Sequence, residues 1–157
     1  MKQQNNFLHT PNMLKDINFL NIAYEIATGS KCVSRHTWAV LVIENRILST
    51  GYNGTPAGYT NCNDYWKWEY SSDHHDWSYK YEIHAEMNAL VWAARNGIKV
   101  EWATLYSTYQ PCFDCTRAVI WAGIKKIVYR EKYKHHSWNE AENFIKDTWC
   151  ELLHLPE

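Results

Sequence analysis

The sequence predicts an α/β fold in which a mixed sheet is covered by helices on both faces. Three observations carry that prediction. Residues 37–53, "TWAVLVIEN" followed by "RILSTGYN", form two β-rich runs around a short polar turn. The first run is apolar at nearly every position, as a central strand buried on both faces would be, and the pair reads as an antiparallel hairpin. Residues 103–130 then read strand, helix, strand, an order that implies a right-handed crossover and two parallel neighbours. Helical patterns stand before and after these units.

Taken in order, Thr10 and Pro11 open a long first helix in which Met13, Ile17, Leu20, Tyr24 and Ala27 share one face, closed by Gly29. The hairpin follows. From Gly51 to Glu82 the chain is polar, aromatic and irregular, longer than a loop in a compact domain should be unless function or a metal pins it. Next come a helix at 84–96 ended by Gly97, a strand at 103–107, a helix at 112–122 ended by Gly123, and a strand at 126–130. "SWNE" at 137–140 is a capping-box pattern that starts a last helix, to about residue 149.

A chain of 157 residues with 46% hydrophobic content is long enough for one core and short for two, so residues 1–157 are expected to form a single domain. No stretch has the pattern of a signal peptide, and none approaches the roughly 18 apolar residues that span a bilayer. The expected compartment is the cytoplasm, with no membrane partner. Sixteen basic against seventeen acidic residues leave no broad positive field, which disfavours a polynucleotide partner and still allows a mononucleotide. Five cysteines, an odd number, point to metal ligation or catalysis over disulfides. Nine tryptophans and eleven tyrosines fit either subunit contacts or an aromatic-rich core.

"DHHDWSYKYEIHAE", residues 73–86, concentrates three histidines and four acidic side chains in fourteen positions. Within it, His84-Ala85-Glu86 falls at a helix start, as does Pro111-Cys112-Phe113-Asp114-Cys115 further on. Helix N-termini offer unpaired N–H groups and a positive dipole end, which favour the thiolate that binds metal. Cys112 and Cys115 sit one turn apart, and His84 from a neighbouring helix start completes three ligands. Zinc is the expected metal for this set, and three protein ligands leave a fourth position for water, as in a catalytic site. Glu86, two residues beyond His84, can reach that water without binding the metal and is the expected proton shuttle.

His-x-Glu followed by Pro-Cys-x-x-Cys is the signature of zinc deaminases. Together with "STGYNGTPAG", "EIHAEMNAL", "QPCFDCTRAVIWAGIKKIVY" and Tyr133, it makes the chain resemble the cytidine and deoxycytidylate deaminase family, especially its viral members. The resemblance implies a three-layer α/β/α sandwich around a five-stranded mixed sheet. It implies hydrolysis of dCMP to dUMP and ammonia, supplying thymidylate synthesis, with dCTP as a further substrate in some members. Glu86 would take a proton from the zinc-bound water, deliver it to N3 of the base, and assist ammonia's departure after attack at C4. The family resemblance also assigns sugar and base contact to Asn53, places Lys31, Ser34 and Arg35 near the phosphate-binding segment, and brings Ala85 and Tyr133 to the substrate. It implies a hexamer controlled by dCTP and dTTP, with Mg2+ accompanying the triphosphate, and host cytoplasm for a viral member.

By the same resemblance a second, structural zinc would be held by Cys32, Cys62, His74 and Glu82, with His75 as the alternative to His74. Thr37-Trp38-Ala39 departs from the family's usual Val-Gly-Ala and is expected to reshape the pocket floor or an interface. Cys150, His135, His136 and His154 show no partner pattern. Two rival functions remain open: a tRNA-adenosine or nucleobase deaminase, which shares the metal motif, and a catalytically silent zinc-binding module, which would have no use for Glu86.

Overall fold

The computed structural model describes residues 11–67, 71–132 and 137–156. Its helices are α1 (Pro11–Ile26), α2 (Cys62–Tyr65), α3 (Ser72–Tyr81), α4 (Ala85–Arg95), α5 (Phe113–Trp121) and α6 (Ser137–Lys146). The strands are β1 (Trp38–Ile43), β2 (Arg46–Tyr52), β3 (Thr104–Tyr109), β4 (Lys126–Glu131) and β5 (Glu151–His154). They form one sheet in the order β2-β1-β3-β4-β5, antiparallel across β2, β1 and β3 and parallel across β3, β4 and β5.

The apolar run of β1 is buried along almost its whole length, which makes it a central strand. Glu44 and Asn45 turn the hairpin with positive φ, the two-residue geometry whose twist matches that of the paired strands. Alternate residues of the sheet feed two cores. Ala39, Leu41, Leu105 and Ile127 pack with Ala85 and Ala89 of α4, Val119 of α5 and Ile145 of α6. Trp38, Val40, Tyr106 and Val128 pack on the other face with Leu20 and Ala23 of α1. That is the three-layer sandwich expected. A polar tie also fixes α1: buried Asp16 accepts hydrogen bonds from the Tyr106 hydroxyl at 2.6 Å and the Lys126 ammonium at 2.9 Å.

Trp38 corrects one expectation. It is fully buried in the core beneath α1, on the face away from α4 and α5, so it forms neither an interface nor the floor of the metal cleft. The segment read as irregular also differs, because α2 and α3 lie within it. In α3 only His74 is buried, so no apolar stripe was there to reveal a helix; the start is set by Ser71, whose hydroxyl accepts the His74 N–H. The last helix ends at Lys146, short of residue 149, and the four residues of β5 were not located by pattern.

Ring contacts stabilise this segment in place of an apolar stripe. Tyr59 stacks on Tyr81, Tyr81 meets Trp77, Trp77 stacks on Tyr65, Tyr65 meets Trp66, and Trp66 stands edge-on to His74 at 5.6 Å.

Packing of α4 on β2 allows no side chain at Gly51, where a Cβ would lie 2.2 Å from the Ala85 carbonyl oxygen and 2.5 Å from the Ala89 nitrogen. Both obstacles are backbone, so neither can rotate aside. Gly51→Ala is expected to cost about 3 kcal/mol or more of stability, measured by urea unfolding.

Candidate active site and a second cluster

The site is built where two helices begin beside the end of β3. His84 immediately precedes α4 and Cys112 immediately precedes α5, each with extended backbone that turns its side chain toward the cleft entrance. Ile83 and Gly54 exchange backbone hydrogen bonds of 2.9 and 3.2 Å, pinning the approach to α4 against the Gly-Tyr-Asn-Gly turn. The start of α5 is held by Thr116, whose N–H reaches the Cys112 carbonyl at 2.8 Å.

His84, Cys112 and Cys115 converge. Cys112 Sγ lies 3.5 Å and Cys115 Sγ 3.4 Å from His84 Nδ1, and one donor atom from each lies within 4.8 Å of the others. His84 is exposed and Cys115 buried, so the cluster has a closed floor and an open mouth. Without a cation, the hydrogen bond from the Cys115 thiol pulls Cys112 down to about 4, while that bond and burial push Cys115 up. The Cys112 thiolate in turn raises His84 to about 9, against the opposing effect of desolvation. A thiolate beside two further nitrogen and sulfur donors suits a soft dication, and zinc fits the set.

Glu86 stands in the first turn of α4, buried against this cluster. Burial raises its carboxyl above the ordinary range, with His84 pulling the other way. Ser107 of β3 places its hydroxyl 3.5 Å from Glu86 Oε1. A buried carboxyl raised above its ordinary range beside a metal-donor set can both take and return a proton.

The other expected substrate residues divide. Asn53 is buried and bonded on every side: Oδ1 accepts from the Ser30 hydroxyl at 2.8 Å and the Thr37 N–H at 2.9 Å, and Nδ2 donates to the Arg35 carbonyl at 2.8 Å. Arg35 is exposed, its guanidinium 5.4 Å from the centre of the Tyr109 ring, near Cys112 in sequence. Ser34 and Lys31 are exposed on the same segment, and Lys31 lines a 460 Å³ cavity with Gly54, Tyr59 and Glu82. Ala85 is fully buried between β2 and the core, beside His84. Tyr133, His135 and His136 lie outside the described residues. Ser30 and Ser107 escaped sequence reasoning, since a lone serine carries no motif and only the fold sets it beside Asn53 or Glu86.

A second cluster lies against α2 and α3. Donor atoms of Cys32, Cys62 and His74 come within 4.8 Å of one another, and all three residues are buried. Cys62 Sγ meets His74 Nε2 at 3.1 Å, while His74 Nδ1 is buried without a partner. His75 instead points out, 3.5 Å from the Asp76 carboxylate, so the structure places His74 and not His75 in the cluster. Glu82 is outside this trio: one oxygen accepts from the Ser78 hydroxyl, and the other is buried without a partner. Burial pushes both thiols up, Cys62 to about 12, and Glu82 adds to both shifts. Donors gathered in so unfavourable a setting for thiolates suit a bound dication, which would reverse that cost.

Two helix starts presenting His, Cys and Cys around an open position, with a buried glutamate beside them, on an α/β/α sandwich, define a zinc-dependent hydrolytic class. Residues 13–131 match the family model of the cytidine and deoxycytidylate deaminase zinc-binding region. The chain is 37% identical to the deoxycytidylate deaminase of Enterobacteria phage T4, over 92% of this chain and 91% of that one. It is 31% identical to the human deoxycytidylate deaminase, over 89% of this chain and 74% of that one. The crystal structure of the cyanophage S-TIM5 dCMP deaminase in complex with dCMP and dUMP is similar, with a TM-score of 0.75, 26% identity, and coverage of 93% of this chain and 98% of that one. The chain belongs to the cytidine and deoxycytidylate deaminase family.

The opposed thiol shifts have a direct chemical readout. In zinc-free protein at about pH 6, iodoacetamide should alkylate Cys112 ahead of Cys115, Cys32 and Cys62, because only Cys112 is then a thiolate, and added zinc should suppress the labelling. Peptide mass spectrometry checks both outcomes.

Proposed function

We propose that the chain catalyses hydrolytic deamination of dCMP to dUMP and ammonia. The observation that carries this reading is the buried Glu86 carboxylate beside the convergent His84, Cys112 and Cys115. A structural zinc site would have no use for that carboxylate. The near-neutral chain, with a formal net charge of −1, also favours a mononucleotide over tRNA.

Held by His84, Cys112 and Cys115, zinc would supply an acidified water as nucleophile. Glu86 takes a proton from the attacking water and delivers it to N3 of cytosine, which makes C4 more electrophilic. It then takes the remaining proton from the oxygen now on C4 and passes it to the departing amino group, so that ammonia leaves and C4 becomes a carbonyl. Burial suits Glu86 to both steps, because a carboxyl raised above its ordinary range is a better base toward the water and can still give its proton on to the base. Ser107, on the rigid central strand β3, restrains one carboxylate oxygen. Lys31, Ser34 and Arg35 supply cationic and hydroxyl groups for the 5′-phosphate, and Asn53 holds the segment that presents them. Acceptance of dCTP would use the same residues.

The second cluster belongs to this reading as a structural zinc site. Cys32, Cys62 and His74 are its ligands, and the unpartnered Glu82 oxygen supports a fourth place for that residue. A homo-oligomer, hexameric by family resemblance, is supported by exposed Trp92 on α4, Trp121 on α5, and the Trp102–Trp149 pair. Control by dCTP and dTTP, the triphosphate carrying Mg2+, rests on the resemblance alone. No helix among the described residues is long and apolar enough to cross a membrane.

Purified protein should turn over dCMP, followed as loss of cytosine absorbance, and Glu86→Ala should keep its zinc while kcat falls about 100- to 10,000-fold. Equal turnover in the variant would remove Glu86 from the mechanism. Metal analysis should give two zinc ions per chain and one in Cys62→Ser; a single zinc in protein never exposed to chelator would sink the two-site reading. Light scattering should show an assembly, and a stable monomer would count against the oligomer.

A further inference from the structure

The second cluster and the nucleotide pocket share one short stretch of backbone. Ser30 to Thr37 leaves the end of α1, passes through the cluster at Cys32, and enters β1 beside the active site. The Val33 N–H points at Cys62 Sγ at 3.4 Å, and the backbone amides of Ser34 and Arg35 lie toward the Cys32 sulfur, where they oppose the upward push of burial on that thiol. Three consecutive amides are thus turned toward two sulfurs, and Val33 makes the hydrogen bond.

The outer side of the same stretch is fastened to Asn53. Its amide holds the Arg35 carbonyl and the Thr37 N–H, and Ser30 bridges both ends by donating to Asn53 while accepting the Cys32 N–H at 3.3 Å. The backbone of residues 33–35 therefore has sulfur on one side and Asn53 on the other. Its side chains, Ser34 and Arg35, face solvent at the end of β3 that leads to Cys112.

We propose that the Cys32–Cys62–His74 centre sets the phosphate grip of the active site, by fixing the backbone of residues 33–35 and so the positions of Ser34 and Arg35. Two deprotonated sulfurs held by a dication accept these amides far better than two thiols do, because a charged acceptor roughly doubles a hydrogen bond's strength. An emptied centre would loosen the stretch where the phosphate is bound and leave His84, Glu86, Cys112 and Cys115 on their own helices. Val33, Ser34 and Arg35 thereby act as positioning residues through their main-chain amides. This inference rests on the reading of the substrate as dCMP and of the second cluster as a metal site.

Val33→Pro tests it, since proline removes the amide directed at Cys62 while Val33 is itself neither a metal donor nor a phosphate contact. The variant should retain two zinc ions by metal analysis, with KM for dCMP raised about tenfold, the equivalent of one charge-assisted hydrogen bond. The change in kcat should be much smaller, and the inhibition constant of deoxyuridine, which lacks the phosphate, should stay at its wild-type value. An unchanged KM overturns the proposal, as does deoxyuridine binding that weakens in step with KM. Should Val33→Pro fail to fold, His74→Ala supplies the same comparison: one zinc per chain and a loss confined to the phosphate-bearing nucleotide support the proposal, and an equal loss for both compounds overturns it. Wild-type protein that does not act on dCMP, or holds one zinc, overturns the functional reading together with this inference; wild-type activity and two zinc ions with no phosphate-selective change overturn this inference alone.

Discussion

The contact on which the rest depends is the close approach of α4 to β2. With no side chain at Gly51, the helix backbone lies directly on the strand, and the first turn of α4 is brought down to the level of the sheet edge. His84 and Glu86 descend with it, one to the cleft mouth and one into the buried floor. A helix seated further out would carry both away from Cys112 and Cys115, whose height is set independently by β3 and α5. Catalytic geometry here is a matter of layer spacing before it is a matter of side chains.

Around that contact the molecule divides its work between faces. The α1 face carries Trp38 and the Asp16–Tyr106–Lys126 tie, apolar and polar anchors that share no residue with the metal cluster. The α4 and α5 face carries small residues, Ala39, Ala85 and Ala89, which let backbone approach backbone. Bulk on one face and closeness on the other follow from a single alternation of side chains along β1.

Much of this was legible in the sequence, for identifiable reasons. The apolar run of β1 and the strand-helix-strand order of 103–130 carry strong periodic signals, and the ligand spacing of His84, Cys112 and Cys115 is chemically restrictive. Helix α3 was hidden because its only buried residue is His74, and β5 because four residues hold no period. Trp38 was misjudged because sequence gives a residue's size and not the face it takes. The choice between His74 and His75 likewise needed α3, since adjacent residues on a helix point about 100° apart and only one can turn inward. The bracket that Asn53 forms was not legible in the Asn-Gly pair, because it depends on three partners spread over residues 30–37.

The two clusters also differ in when they can fill. The outer trio opens to solvent and its Cys112 thiol is drawn down by the Cys115 and His84 side chains, so that sulfur would yield its proton readily to an entering metal. The inner trio is closed and burial pushes its thiols up, so an ion binding there would have to release their protons and pass the Trp66 ring that stands against His74. An ion bound at the inner trio would therefore exchange with solution only when α3 opens, whereas one bound at the outer trio could be lost and regained without any such movement.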